Sequence, residues 1–460
     1  MPDLHARPEH FMQKSDPGLA NISSIRNSLE ILAIVYTLFV IYGSLVPLDF
    51  KYHAWQEALE TFKNIRYLKL GIGSRADWVT NILLYAPLAF LWLGTLCYAK
   101  SVVWRIVAAL FVLLACTGLN IAIEFTQIFF PPRTVSLNDI IAEFIGTVLG
   151  IALWTAIGTR LAKLIRAIFQ GGIAARHAVL VAYALSYATL SLFPFDFLIS
   201  HGEWQAHLAS NKAGWLFAQS CSGRCVWNLI PEMIATAPLG ILGILALNPI
   251  RRMPLLLAAI GGILLGLLIE GLQLTIASGI SQGASIGSRA AGVMLGVWLA
   301  QSTLGVDWFR LRRFVRVVLV IGSLPYLAML AWLNHWFVDR WLGIAEGLAR
   351  LGNLHFLPFY YHYYSSESVA MVSLLFQAGL YLPIGAGVWL WRWGRQPEKP
   401  ELSFVWPAIT AAILACVIEA GKFFIPSQHP DPTNILIAAT SAVTAHKLLQ
   451  LLFASTSNPA

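Results

Sequence analysis

The sequence predicts an all-α fold, a polytopic helical membrane protein, on three observations. Of the 460 residues, 57% are hydrophobic and only 12% are charged, against about 25% charged in ordinary soluble domains. The mean hydropathy is +0.67. Apolar runs long enough to cross about 30 Å of hydrocarbon recur along the whole chain, without the strand-length alternation of a membrane β-barrel.

About twelve transmembrane helices are expected, at 29–46, 78–98, 103–128, 137–157, 178–193, 229–247, 254–277, 285–303, 314–336, 369–391, 404–424 and 434–453. The first and fifth are short and are expected to be partly interfacial or shielded by neighbours. Residues 1–28 are polar and lack an apolar core followed by a small-residue cleavage site. They read as a short cytoplasmic tail. More than half of the 31 Lys and Arg fall at the termini and in the even-numbered loops, including Arg251-Arg252 and Arg310 to Arg316. Positive-inside logic places both termini in the cytoplasm.

Between the third and fourth spans lies Ile123 to Gly146, IEFTQIFFPPRTVSLNDIIAEFIG. Pro131-Pro132 stops the first helix, and Ser136 is a good N-cap for the second, with Asp139 three residues on. Glu124 and Gln127 share one helix face, as do Asp139 and Glu143. A tight turn joins the two faces on the predicted outer side. Charge at membrane depth is costly, so it marks a candidate functional site.

The chain also repeats itself. NILLYAPLAF (Asn81 to Phe90) returns as EMIATAPLGI (Glu232 to Ile241) and QAGLYLPIGA (Gln377 to Ala386), each with a polar residue six positions before Pro87, Pro238 or Pro383. AIEFTQ, LIEGLQ and VIEAGK follow, carrying Glu124, Glu270 and Glu419. Fifteen residues after each glutamate stands Asp139, Ser285 or Asn434. SLVPLDF (Ser44 to Phe50) returns as SLFPFDF (Ser191 to Phe197) and, more loosely, as HFLPFYY (His355 to Tyr361). Three parallel four-helix units are the simplest reading, over 29–167, 168–308 and 309–453.

These motifs resemble the VanZ-like family, whose pattern runs Asn, a Pro-containing helix, Glu-x-x-Gln, an Arg, and an Asp opening the next helix. The first unit matches it at Asn81, Pro87, Glu124, Gln127, Arg133 and Asp139, with Glu143 where the family often has a second Asn. The second unit keeps Pro238, Glu270 and Gln273, with Glu232 for the Asn, Gly279 for the Arg and Ser285 for the Asp. The third keeps Pro383 and Glu419, with Gln377, Lys422 and Asn434 at the altered positions. The resemblance implies three tandem VanZ-like repeats, the third degenerate, in a bacterial cytoplasmic membrane. It also implies an amphiphilic envelope ligand, a lipid-linked precursor or a lipoglycopeptide, with a link to teicoplanin resistance, bound at outward-facing polar clefts.

Two other classes stand beside that reading. A proton- or ion-coupled secondary transporter would need a site near mid-membrane reachable from both sides, and three units of four helices differ from two halves of six. A membrane enzyme acting on a lipid would need two carboxyls converging on a cavity. The chain carries no Walker loop, G-x-S-x-G, H-E-x-x-H or dinucleotide fingerprint. No catalytic residue, cofactor, metal or nucleic-acid partner is therefore assigned, and the oligomeric state stays open.

Each polar group also has a structural reading. Glu124 can pair with Arg133 while Asp139 caps a helix. Each glutamate has a nearby cation, Arg133, Arg289 or Lys422, which points to charge compensation. Asn81, Glu232 and Gln377 can satisfy carbonyls freed by the prolines that follow them. Phe50 to Ser74 reads as an amphipathic helix lying on the membrane. YYHYYSS (Tyr360 to Ser366) reads as an aromatic belt or a ring-stacking platform. Cys221 and Cys225, in a predicted outer loop, form either a small disulfide or two free thiols, and a zinc site would need two further ligands. Cys97, Cys116 and Cys416 read as apolar filler.

Overall fold

Apolar sequence in a membrane must satisfy its own backbone, and it does so here as helix. A computed structural model describes residues 17–68, 71–97, 101–210, 212–218, 224–246, 253–303, 306, 308–337, 340–394 and 404–453. The first stretch holds α1 (Pro17–Leu45), α2 (Trp55–Lys63), α3 (Ile72–Cys97), α4 (Val102–Gln127) and α5 (Leu137–Gln170). The second holds α6 (Gly172–Ser191), α7 (His201–Ala209), α8 (Arg224–Ala246), α9 (Leu255–Gln273) and α10 (Gly283–Thr303). The third holds α11 (Trp308–Leu333), α12 (Ile344–Ala349), α13 (Tyr360–Tyr363), α14 (Glu367–Trp393), α15 (Val405–Lys422) and α16 (Pro432–Leu452). In each stretch a long helix precedes a short one or two, and three long helices follow.

Local chemistry sets the helix ends. The Ser136 side chain accepts from the Asp139 amide and starts α5. Ser200 and Glu203 form a reciprocal capping box at α7, and Asp431 accepts from the Thr433 amide ahead of Pro432 at α16. Each interaction supplies acceptors for helix N–H groups that have no partner within the helix. α5 passes into α6 through Gly171 and Gly172, whose φ angles of 74° and 65° favour glycine.

The last helix of each stretch packs on the Pro-containing helix two before it: α5 on α3, α10 on α8, α16 on α14. Small residues permit this close approach. A Cβ added at Gly150 would overlap the Ala86 carbonyl oxygen, and one at Gly296 would overlap that of Ala237.

Among the described residues, eleven helices are long and apolar enough to cross a membrane, against about twelve expected. The helix outside that set is α10, which carries Ser285, Ser288 and Arg289 and packs against α8 and α9. The expectation of short first and fifth spans is corrected: Arg26–Leu45 and Gly172–Ser191 are each 20 residues long. The fifth span is longer than its apolar run because α6 begins at Gly172 and takes in the polar Arg176 and His177.

One motif assignment also changes. In the first two stretches the left-handed residue after the opening helix is Leu48 or Phe195, each with φ 64°. The third stretch places His335, φ 64°, after α11, so the counterpart is Leu333 to Phe337 and not His355 to Tyr361. The backbone hydrogen bonds agree: Lys51 N donates to Phe129 O, Leu198 N to Thr275 O, and Leu342 N to Phe424 O. Pro358-Phe359 has a left-handed residue of its own, φ 62°, one loop later. Similar letters there belong to a different turn.

Candidate functional site

The three glutamates and the Asp139, Ser285 and Asn434 that follow them gather at one end of the bundle, where α4, α9 and α15 finish and α5, α10 and α16 begin. Each of the three glutamates closes the loop that leads into the last helix of its stretch. Glu270 accepts from the Gln282 amide at 2.6 Å, and Glu419 accepts from the Asp431 amide at 2.8 Å, both twelve residues on. In the first stretch the amide at the same offset, Ser136, is directed at the Glu124 carboxylate. The glutamines of the Glu-x-x-Gln motifs tie these ends to the opening helices. Gln127 Nε2 donates to Ser44 O at 2.9 Å, and Gln273 Nε2 donates to Ser191 O at 3.1 Å.

Beyond that shared fastening the three stretches differ in charge. Glu270 takes a very short bond from the Arg289 guanidinium, which also lies 3.7 Å from Glu232 and donates to the Tyr187 hydroxyl. Glu232 accepts further from Ser285 and Ser288. Glu419 accepts from Lys422 Nζ at 2.7 Å and Asn434 Nδ2 at 2.9 Å. Both carboxylates are buried with their cations and hydrogen bonds complete, as a buried charge requires.

The first stretch lacks such a cation. Glu124 and Glu143 are 2% and 3% exposed, with Oε2 of each lacking a protein partner. The expected Glu124–Arg133 pair is corrected. Arg133 donates to Val46 O at 2.7 Å and to Gly43 O, and its guanidinium stacks 4.3 Å from the Tyr363 ring. The end of α1 leaves unpaired carbonyls that compete for the donor, and an arginine is long enough to reach them. Burial lowers the Arg133 pKa from its ordinary value, with the Tyr363 and Glu124 fields opposing.

Asp139 is held by neutral donors. Asn81 Nδ2 donates to it at 2.7 Å and the Ser136 hydroxyl at 2.6 Å. The second stretch inverts this pair, with Ser285 donating to Glu232 at 2.9 Å. Asn81 and Glu232 therefore bond to the last helix of their stretches. Gln377 is half-buried on α14.

Sequence reasoning missed Tyr85, Asn120 and Asn138. Tyr85 on α3 and Asn120 on α4 are completely enclosed. The Tyr85 hydroxyl lies beside Glu143 without a well-formed hydrogen bond, and Asn120 Nδ2 donates to Ile140 O at 3.0 Å. Asn120 stands one turn before Glu124 in an apolar run, a signal that was available. Asn138 exchanges two bonds with the Leu68 backbone, at 2.7 and 2.8 Å, as a strand partner would.

The other candidates divide. The amphipathic helix is α2, with Ala58 buried and its charges outward. YYHYYSS packs against the first stretch: the Tyr363 hydroxyl donates to Pro132 O at 2.5 Å, and Tyr42 donates to Pro358 O at 2.7 Å. Cys221 and Cys225 lie outside the residues whose side chains are described. Cys97 and Cys116 are free and buried, whereas Cys416 is exposed. Among the described residues no group of three or more His, Cys, Asp or Glu is placed to hold a metal ion.

None of the acidic residues lines the larger of the two cavities described. That cavity, about 650 Å³, is an aromatic groove on the opposite face of α4, lined by Phe50, Tyr52, His53, Trp55, Phe125 and Phe129 among others. Glu124 faces inward because the positions around it, Asn120, Ile123 and Gln127, form the buried face of α4.

A helical bundle with acids and glutamines buried at one rim of its membrane helices defines a multi-pass helical membrane protein. Residues 31–158, from within α1 through most of α5, match the family model VanZ/LLP1, so this first stretch of the membrane protein is VanZ-like. Neither the curated proteins nor the solved structures gave a match.

Proposed function

We propose that this VanZ-like protein binds an amphiphilic molecule of the bacterial envelope, a lipid-linked precursor or a lipoglycopeptide, in the groove between α2 and the end of α4. The observation that carries the reading is the groove itself. Its lining is almost wholly apolar, and Phe50, Tyr52 and Trp55 are largely exposed. Exposed apolar area of this kind marks an interaction surface. A lipid chain laid in such a groove gains about 0.8 kcal/mol per buried CH₂. Tyr52, His53 and Thr126 supply polar atoms to a headgroup at the same rim.

In this reading the rim faces outward from the cytoplasmic membrane, with both termini inside, supported by the clustering of Lys and Arg in the opposite loops. The chain comprises three tandem VanZ-like units, supported by the recurring glutamate-to-amide closure at Glu124, Glu270 and Glu419. Ion-coupled transport is the second reading: the carboxyls of Glu124 and Glu143, which lack a paired cation, favour it, and their place near one rim of the bundle counts against it.

The test is lipid extraction and mass spectrometry of the purified protein, wild type against Trp55→Ala/Phe125→Ser. The wild type is expected to retain an envelope lipid that the variant loses. Equal retention removes the groove as the binding site. Teicoplanin susceptibility is read in parallel, and an unchanged value in a deletion strain, the wild type and the variant removes the resistance role.

A further inference from the structure

The first unit differs from the other two in one chemical respect: its buried carboxyl groups face one another and lack a paired cation. Glu270 meets Arg289 and Glu419 meets Lys422. The first unit instead places Glu143, an acid, where the second places Arg289. Four enclosed oxygens then lack a protein partner: Glu124 Oε2, Glu143 Oε2, Tyr85 Oη and Asn120 Oδ1. They come from three packed helices, α3, α4 and α5.

The surrounding groups do not supply the missing charge. Asp139 faces Glu124 and Glu143 from α5, and Cys116 faces Tyr85 from α4. Arg133 lies in the same field but is engaged by Gly43, Val46 and Tyr363. Outside this core, exposed Asp77 at the start of α3 faces Glu367 of α14 and, more weakly, Asp139. Acids thus step inward from the rim through Asp77 and Glu367, then Asp139, Glu124 and Glu143, to Tyr85 in the middle of α3.

An acid without a cation inside a membrane helix is compensated either by its own proton or by a bound ion. An all-oxygen donor set suits a hard ion. We infer that the first unit binds a monovalent cation, a proton or Na⁺, between Glu124 and Glu143, entering from the rim past Asp77, Glu367 and Asp139. The inference stands apart from the lipid groove, which uses the other face of α4, so either can fail alone.

The experiment uses the full chain in phosphatidylcholine nanodiscs with two readouts. Thermal unfolding is measured in Na⁺ against choline, and difference infrared spectra follow protonated carboxyl groups across a pH titration. The wild type is expected to show a Na⁺-dependent rise in unfolding temperature or a protonated-carboxyl band. Either signal should vanish in Glu124→Gln/Glu143→Gln and persist in the surface control Glu60→Gln. Tyr85→Phe keeps the ring and is expected to shift the signal's midpoint, which covers the case in which the double variant does not insert. Absence of both signals from the wild type, or their survival in the double variant, overturns the inference. An unshifted midpoint in Tyr85→Phe does the same.

Discussion

Glu270 and Arg289 form a buried ion pair nineteen residues apart, at the two positions where the first unit places Glu124 and Glu143. One substitution between units thus converts a compensated site into an uncompensated one. Removing one partner of a buried pair costs about 3–5 kcal/mol, because the other charge stays buried alone. Arg289→Met is expected to destabilise by that amount in thermal unfolding. Arg289→Met combined with Glu270→Gln and Glu232→Gln should recover part of the loss. A triple variant as unstable as the single one would show that packing, not charge, governs the site.

The first and third units are joined through Arg133. Its guanidinium holds two carbonyls at the end of α1 and lies over Tyr363, whose hydroxyl reaches Pro132. Hydrogen bonds to a charged group contribute about 1.5–3 kcal/mol each at most. Arg133→Met should lower the unfolding temperature markedly and Tyr363→Leu less. Because the residues touch, the effects should not add. Strict additivity in a double-mutant cycle would mean that the stacking contributes nothing.

Much of this was legible in the sequence. The glutamates, the Ser136 cap and the cations Arg289 and Lys422 lie within one local stretch, where helical spacing fixes who meets whom. Arg133 could not be read the same way. Its acceptors, Gly43 and Val46, are about ninety residues earlier, and only the packed rim brings them close. Tyr85 was invisible for the same reason, since an aromatic residue in an apolar run reads as core. Its chemistry comes from Glu143 on another helix. The groove was missed because its walls join a loop, α2 and α4, none of which is concave alone.

Close packing of α3 on α5 depends on Gly150, where a Cβ would overlap the Ala86 backbone. Gly150→Leu is expected to force the helices apart and to cost at least the 1–3 kcal/mol, roughly, of an overpacked core. Gly118 has open space around its Cα, so Gly118→Ala should be neutral or slightly stabilising. Size-exclusion profiles and unfolding temperatures of the two variants distinguish these outcomes. Equal behaviour would contradict the packing seen here.

Arg75 on α3 and Glu203 on α7 make a bidentate bridge between the first and second units, with both contacts at 2.9 Å. The Arg75 hydrogen bonds, then the Ile199 amide, hold the Glu203 pKa down to about 2, below the ordinary glutamate range. A depressed carboxylate contributes its stabilisation fully above the unfolded value, near about 4.3. That contribution fades as the pH falls from there toward 2. Glu203→Gln is therefore expected to be less stable than wild type at neutral pH, with the gap closing across this acid window. High salt should narrow the gap at neutral pH, because the pair lies at the rim and is screened. The check is the difference in unfolding temperature between wild type and variant, followed from neutral pH into acid. A gap that stays constant down through the acid range would show that Glu203 acts through its capping geometry at α7 and not through its charge.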